Sequence, residues 1–227
     1  MRAILLAAGM GTRLRPLTLE TPKPLIEING ESMIERQIKL LRENGIDEII
    51  VVTGYLKEKF EFLKDKYNVK LIHNDKYDVY NNIYTMYLVK DYLSDAYVIE
   101  GDIYLNRNFL KNNIRVSSYF SAPKFGYCNE WILRMDENNK VYSIDIGSED
   151  GEYIMCGVSY WNKEDGEFIK GKIEESISNG EFTELFWDDI VKDNINNIDI
   201  RVEKIKADDV YEIDSLDDLN KVVEVVK

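Results

Sequence analysis

The chain has 227 residues, of which 44% are hydrophobic, and its 42 acidic side chains against 29 basic ones give a net charge of −13. This length and apolar fraction are typical of a globular protein with one large or two small domains, and they exclude wholesale disorder. The acidic excess argues against a nucleic-acid-binding protein, which needs a basic face for phosphates. A site for a small polyphosphate needs only a local cluster of positive charge, so the net charge does not exclude binding of such a ligand.

Residue types that are scarce in the chain narrow the chemistry further. His73 is the only histidine, which excludes a multi-histidine metal site, and we interpret it as structural because nothing nearby completes a catalytic pair. Cys128 and Cys156 lie too far apart for a CxxC site and are too few for a disulfide scaffold. The apolar stretch 3–8 is shorter than a signal-peptide core, and no later run approaches the ~20 apolar residues of a membrane span. The sequence therefore predicts a cytoplasmic protein without membrane insertion.

The first half of the chain alternates short apolar strands with helices. Strands are predicted over residues 3–6, 49–53, 69–72 and 96–99, and helices over residues 31–43, 57–66 and 83–92. Strands separated by such helices form βαβ units, so we expect an α/β fold with a Rossmann-like, mostly parallel (mixed) sheet and helices on both faces. Ligands on such sheets bind beyond the carboxyl ends of the strands. The segments that follow residues 6 and 99 are therefore predicted to share one edge.

The regular alternation of predicted strands and helices ends after about residue 114. Strands are predicted over residues 131–135, 141–146, 153–160 and about 198–205, and helices over residues 164–178, 184–194 and 215–226. The last helix is well signalled because Ser215 and Asp218 have capping-box spacing. No linker or repeat interrupts the chain. We therefore predict a single domain over residues 1–227, with an elaborated second half, 114–227, added to a first half, 1–113.

The strongest motif directly follows the first strand. Residues 6–18 read Leu-Ala-Ala-Gly-Met-Gly-Thr-Arg-Leu-Arg-Pro-Leu-Thr, and residues 21–25 read Thr-Pro-Lys-Pro-Leu. Gly9 and Gly11 allow the backbone to approach a ligand closely and to point N–H groups at an anion. Arg13 and Lys23 can then clamp phosphate oxygens. Residues 1–25 carry four basic side chains against one acidic one, so this segment is positive within an acidic protein.

Three other interpretations of the glycine-rich segment are weaker. A dinucleotide-binding fingerprint requires a third glycine where Leu14 stands, and the Gly-Lys-Ser/Thr string of a P-loop does not occur in the sequence. A tight strand-to-helix turn with incidental basic residues would explain the two glycines alone. It does not explain the complete run through Pro-Lys-Pro.

This run resembles the nucleotidyltransferase family that couples an NTP to a phosphorylated sugar or alcohol. The family signature, Leu-Ala-Ala-Gly-x-Gly-Thr/Ser-Arg-Leu followed by Pro-Lys, is matched at each fixed position within residues 6–25. The resemblance extends to Glu100-Gly101-Asp102 and to Tyr211-Glu212-Ile213-Asp214, at the family's two metal-binding aspartate positions. It implies that residues 1–113 bind the nucleotide and residues 114–227 the acceptor.

The resemblance also implies roles for individual residues. The nucleotide would be contacted by Leu6, Ala7, Ala8, Gly9, Gly11, Thr12, Arg13, Lys23 and Asn82. Arg13, Lys23 and Asp102 would be catalytic, with Lys23 bridging phosphates during transfer. Asp102 and Asp214 would hold the cofactor Mg²⁺, whose preference for carboxylates suits them, although Asp214 also precedes the helix N-cap Ser215. Asn82 can either contact a pyrimidine or cap a helix, and the sequence leaves both open.

Within the family, the chain resembles the bacterial cytidylyltransferases that use CTP and phosphocholine. The similar stretches are residues 54–58, 73–77, 81–82, 129–131 and 185–188, and the Glu-Lys-Pro motif of hexose-phosphate enzymes is absent from the sequence. Aromatic faces and carboxylates bind a trimethylammonium group. The resemblance assigns this role to Glu130, Trp131, Phe186 and Asp188, with Phe186 where those enzymes have tyrosine.

Alternatives remain for the acceptor pocket and for the activity. Trp131 and Phe186 can also be ordinary core residues, and Trp187 is predicted to be one. The acceptor can be 2-aminoethylphosphonate or phosphoethanolamine, whose ammonium would prefer carboxylates. A non-catalytic nucleotide-binding regulator is the alternative from another class. The expected partners are small molecules, with no nucleic acid, and the sequence leaves the oligomeric state open.

Overall fold

A computed structural model describes residues 1–180 and 182–226 of the chain. The strands are β1 Arg2–Ala7, β2 Glu27–Ile28, β3 Glu31–Ser32, β4 Ile49–Thr53, β5 Lys70–His73, β6 Ala96–Glu100, β7 Ile103–Leu105, β8 Ser118–Pro123, β9 Glu130–Met135, β10 Val141–Gly147, β11 Tyr153–Trp161, β12 Arg201–Lys204 and β13 Val210–Glu212. The helices are α1 Met33–Glu43, α2 Phe62–Tyr67, α3 Asn82–Val89, α4 Lys163–Asn179, α5 Trp187–Asp193 and α6 Leu216–Val225.

One mixed sheet spans both halves of the sequence, with strand order β10-β9-β11-β6-β1-β4-β5, with β8 paired to β11 and with β12 paired to β8. The strands β6, β1, β4 and β5 are parallel to one another, as the βαβ pattern predicts. Strand β11 is antiparallel to β6, β8 and β9, and β9 is antiparallel to β10. The predicted α/β, Rossmann-like mixed fold is therefore confirmed.

Alternation along β1 explains why helices cover both faces of the sheet. Leu5 belongs to a buried cluster that includes the apolar side chains of α1 and α2. Its neighbour Ile4 points the other way, into a cluster formed with α3, α4 and α5. Burying such a side chain is worth about 1.5–3 kcal/mol, so a central strand that is apolar at every position from Ala3 to Ala7 fixes two helical layers around itself.

Several predicted elements differ from the structure at their ends. Residues 57–66 divide into a short 3₁₀ turn, Lys57–Phe60, and the helix α2, and α5 begins only at Trp187. The short strands β7 and β13 were not predicted because three residues are too few to show a period of two. Their antiparallel pairing, with Glu212 opposite Ile103, brings the 210–214 segment to the end of β6. This pairing builds one side of the site described below.

Helix α6 begins as its capping box predicts. The Ser215 hydroxyl accepts a hydrogen bond from the Asp218 backbone N–H, and the Asp218 carboxylate accepts one from the Ser215 N–H. Among the described residues, no helix is both long enough and apolar enough to cross a membrane.

Candidate active site

The segment after β1 folds into a loop that depends on Gly11. Gly11 has a φ of 59°, which strains side-chain-bearing residues, and an added Cβ would lie 3.0 Å from Cβ of Lys23. The Thr18 hydroxyl donates a 2.8 Å hydrogen bond to the Gly11 carbonyl. This close packing allows Lys23, which is twelve residues further along the chain, to return to the end of β1.

A cavity of about 280 Å³ lies in front of this loop. All of the residues that the sequence predicts to contact a nucleotide line it, namely Leu6, Ala7, Ala8, Gly9, Gly11, Thr12, Arg13, Lys23 and Asn82. Thr85 and Glu100 also line the cavity, and neither is a predicted contact residue. We name it the nucleotide cavity.

Lys23 links the loop to both aspartates of the predicted metal site. Its ammonium lies 2.8 Å from Oδ2 of Asp102 and 2.7 Å from Oδ1 of Asp214, and only 8% of the residue is exposed. Burial opposes the charged form of Lys23, but the two carboxylates outweigh burial and raise its pKa. Burial likewise opposes ionisation of Asp214, while Lys23 and Arg13 reverse this effect and lower its pKa. Arg13, which is 72% exposed, reaches Oδ1 of Asp214 at 2.8 Å.

A third carboxylate, Glu212, completes an acidic cluster with these aspartates. One oxygen from each of Asp102, Glu212 and Asp214 lies within 4.8 Å of the others. Desolvation, followed by the charges of Asp102 and Asp214, raises the pKa of Glu212 to about 8. Glu212 was not predicted to be a ligand, although its place two residues before Asp214 puts both side chains on one side of an extended segment. Hard oxygen donors at this spacing suit a divalent cation such as Mg²⁺.

A second cavity, of about 330 Å³, adjoins the first and contains all four predicted acceptor residues, Glu130, Trp131, Phe186 and Asp188. We name it the acceptor cavity. The rings of Trp131 and Phe186 meet edge to face, with centroids 6.2 Å apart. Among the described residues that line it, six are carboxylates and Arg13 is the one basic residue. The cavity therefore combines aromatic surface with an excess of acidic over basic side chains, which favours a cationic ligand.

Two carboxyl groups deep in the acceptor cavity are strongly perturbed. Burial raises the pKa of Asp188 to about 7, although its Oδ1 accepts a 2.7 Å hydrogen bond from the Tyr119 hydroxyl. Burial, together with the charges of Asp102 and Asp188, raises the pKa of Glu100 well above its usual value. Tyr119 is a site residue that was not predicted, because nothing local to residue 119 indicates its distant partner.

Asn82 lies where the two cavities meet and is hydrogen-bonded to Trp187. Oδ1 of Asn82 accepts a 2.8 Å hydrogen bond from the Trp187 backbone N–H, and Asn82 lines both cavities. The helix-capping role falls to its neighbour Asn81, whose side chain accepts from the Asn82 N–H. Trp187 is buried against Trp161, as predicted for a core residue, but it also lines the acceptor cavity.

The fold and this paired site define a class of protein. A glycine-rich phosphate loop, a buried lysine and a carboxylate cluster lie at the carboxyl edge of a parallel sheet, beside a second substrate cavity, which is the arrangement of an enzyme that transfers part of a nucleotide. The family model described as nucleotidyl transferase matches residues 2–116. The chain belongs to this family.

Individual proteins similar to this chain are named as cytidylyltransferases. A choline-phosphate cytidylyltransferase of Streptococcus pneumoniae is 47% identical over 227 residues, which are 100% of this chain and 99% of that protein. A 2-aminoethylphosphonate cytidylyltransferase of Lancefieldella rimae is 35% identical over 221 residues, covering 96% and 89%. The solved structure of a CTP:phosphocholine cytidylyltransferase from Streptococcus pneumoniae matches with a TM-score of 0.96 at 46% identity and covers 100% of this chain and 99% of that one.

Proposed function

We propose that the protein is a cytidylyltransferase that joins CTP and phosphocholine to give CDP-choline and pyrophosphate. The observation that carries this proposal is the continuity of the two cavities, which share Arg13, Asn82, Glu100, Asp102 and Asp214. A nucleotide in one cavity and a cationic phosphate ester in the other would present their phosphates to each other at these shared residues. The full-length similarity to a choline-phosphate cytidylyltransferase supports the same pair of substrates.

The reaction follows from the placement of charge. A phosphate oxygen of phosphocholine attacks the α-phosphorus of CTP, a P–O bond forms, and the bond to the β-phosphate breaks as pyrophosphate leaves with its electron pair. Arg13 and Lys23 neutralise the phosphates, and the backbone at Gly9 and Gly11 approaches them closely. No covalent nucleophile is required, which agrees with the scarcity of histidine and cysteine.

The acidic cluster fits a divalent cation. Asp102 and Asp214 would hold Mg²⁺, with Glu212 as an additional ligand, because three carboxylate oxygens within 4.8 Å offer the hard donors this ion prefers. When bound, the cation supplies positive charge to the phosphate oxygens. Glu130, Trp131, Phe186 and Asp188 would then bind the trimethylammonium head.

A pyrophosphate-release assay tests the proposal. The protein is incubated with Mg²⁺, phosphocholine and each NTP in turn. We expect release with CTP and phosphocholine together and not with either alone. Activity confined to UTP or dTTP with hexose phosphates would contradict the proposal.

A second acceptor, 2-aminoethylphosphonate, is favoured by two observations. The Lancefieldella rimae relative is named for it, and a primary ammonium can hydrogen-bond to the carboxylates of the cavity. Phosphoethanolamine is a candidate for the same reason. Trp131→Ala separates these acceptors from phosphocholine, because selective loss of activity with phosphocholine indicates that the aromatic wall binds the head group.

The non-catalytic regulator is disfavoured. Arg13, Lys23, Asp102 and Asp214 are all present and are linked in one chain of ion pairs. A site kept only for binding would not need this complete set. Unchanged turnover in Asp102→Asn would contradict the assigned role of that residue.

A further inference from the structure

The two aromatic walls of the acceptor cavity belong to different elements. Trp131 lies in β9, whereas Phe186 lies in the loop directly before α5 and is 45% exposed. Backbone hydrogen bonds of the sheet do not connect these two segments. Their relative position therefore depends on side chains that link α5 to β9.

Asp189 and Lys192 on α5 supply such a link. The Asp189 carboxylate accepts a 3.0 Å hydrogen bond from the Phe186 backbone N–H through Oδ2 and a 2.8 Å hydrogen bond from the Lys192 ammonium through Oδ1. The ammonium of Lys192 lies 5.0 Å from the centre of the Trp131 ring, within range of a cation–π contact. One chain of contacts thus runs from Phe186 through Asp189 and Lys192 to Trp131.

Lys192 contacts the Trp131 ring from outside the acceptor cavity. Trp131 and Phe186 line that cavity, and neither Lys192 nor Asp189 is among the lining residues. The paired carboxylate of Asp189 offsets the positive charge of Lys192, so the lysine can support the ring with less repulsion of a cation on the cavity side.

We propose that Asp189 and Lys192 are positioning residues that hold the two aromatic walls in register and thereby select a trimethylammonium head over a primary ammonium. A trimethylammonium group has no N–H to donate and depends on correctly placed aromatic faces, whereas a primary ammonium can follow the carboxylates. Loosening the walls therefore affects phosphocholine more than 2-aminoethylphosphonate. The selectivity part rests on the proposed use of phosphocholine.

The test compares Lys192→Met with Lys192→Arg, which keeps the charge and the cation–π contact. Lys172→Met is the matched control, because Lys172 forms an i,i+3 ion pair with Glu175 on α4 at the same 2.8 Å. We expect Lys192→Met to raise the KM for phosphocholine about two- to fivefold with the KM for CTP and kcat unchanged, as loss of one cation–π contact implies. We expect Lys192→Arg and Lys172→Met to behave as the wild type.

Quenching of tryptophan fluorescence by acrylamide supplies a readout that needs no acceptor. Trp161 and Trp187 are 0% and 2% exposed, so added quenching reports on Trp131. We expect more quenching in Lys192→Met and in Asp189→Asn. The variant that carries both substitutions should show no more quenching than Lys192→Met alone. Unchanged quenching and unchanged KM in Lys192→Met would overturn the inference, as would an equal rise in KM for CTP. A wild type that does not use phosphocholine would overturn the proposed function instead, and quenching would still test the link.

Discussion

Lys23 and Asp214 are separated by 191 positions in the chain, yet the ammonium of one lies 2.7 Å from the carboxylate of the other. The same ammonium contacts Asp102, so a single buried cation joins the phosphate loop to two ends of the acidic cluster. This relationship makes Lys23 a competitor of any cation that uses these carboxylates, and it leads to the first prediction.

Replacing Lys23 by methionine should abolish most turnover while strengthening divalent-cation binding. Removal of one charged group that stabilises a transition state typically costs about 10²–10³ in kcat. The carboxylates of Asp102 and Asp214, freed of their ammonium partner, should bind Mn²⁺ more tightly in a titration followed by electron paramagnetic resonance. Lys39→Met is the control, because Lys39 pairs with Glu31 on the exposed surface. Weaker Mn²⁺ binding in Lys23→Met would contradict this prediction.

Glu212 should contribute directly to cation affinity. We expect Glu212→Gln to weaken Mn²⁺ binding by about tenfold, because it removes one charged ligand from a three-carboxylate cluster. Glu203→Gln is the matched control, since Glu203 lies on β12, outside the cluster, and pairs with Lys111. Equal affinities in the two variants would show that Glu212 is not a ligand.

Removal of divalent cations with EDTA should stop pyrophosphate release, and added Mg²⁺ should restore it.

Asp188 should make binding of the cationic head group depend on pH. Its pKa is about 7, so the carboxyl is neutral below this value and anionic above it. We expect choline, which has no titrating group in this range, to bind more tightly as the pH rises from 6 to 8 (roughly one unit either side of that pKa). Competition by choline against phosphocholine, measured across this range, checks the prediction. Tyr119, Asp189 and Glu100 are the titratable neighbours of Asp188, and the control variant described next leaves them unchanged.

The control is Asp188→Asn, in which the pH dependence of choline binding should become weaker, and the remaining dependence comes from Glu100 and Glu212, which line the same cavity and have raised pKa values. The contribution of Asp188 to the stability of the fold should fall as the pH rises, whereas choline binding becomes tighter. Because the folded-state pKa lies above the unfolded value of 3.8, protonated Asp188 stabilises the fold at low pH, and this contribution is lost as the pH rises from about 4 to about 7. A pH-independent choline affinity in the wild type would falsify the assignment of Asp188 to the head group.

Gly101 should be intolerant of a side chain although it lies next to a candidate ligand. A Cβ at Gly101 would lie 2.7 Å from the Leu6 carbonyl oxygen and 2.9 Å from Cγ of Pro24. We expect Gly101→Ala to lower the free energy of unfolding by about 1–3 kcal/mol, as overpacking does, and to displace Asp102. Gly171→Ala on α4 meets no atom within 4 Å and should instead stabilise the protein by about 0.5–1 kcal/mol. Urea unfolding of both variants measures the two effects.

Much of the site could be predicted because its phosphate loop is continuous in the sequence. Residues 6–25 contain the glycines, Arg13 and Lys23 in one run, so their chemistry and spacing are legible without a fold. The strands β1, β4 and β6 were predicted within a residue at each end, because buried parallel strands are apolar runs bounded by turns. The assignments of Asp102, Asp214 and the acceptor residues came from the family resemblance, and their individual roles stay predictions, as does the cytoplasmic location.

The sequence by itself thus determined the class of fold, the phosphate loop and the family. Only the tertiary structure decided which distant groups meet. The pairing of β13 with β7 brings Glu212 to Asp102, Tyr119 reaches Asp188, and Lys192 reaches Trp131. Periodicity and propensity describe what a segment buries, but they carry no information on its partner, because the contact energy depends on side chains tens or hundreds of residues away.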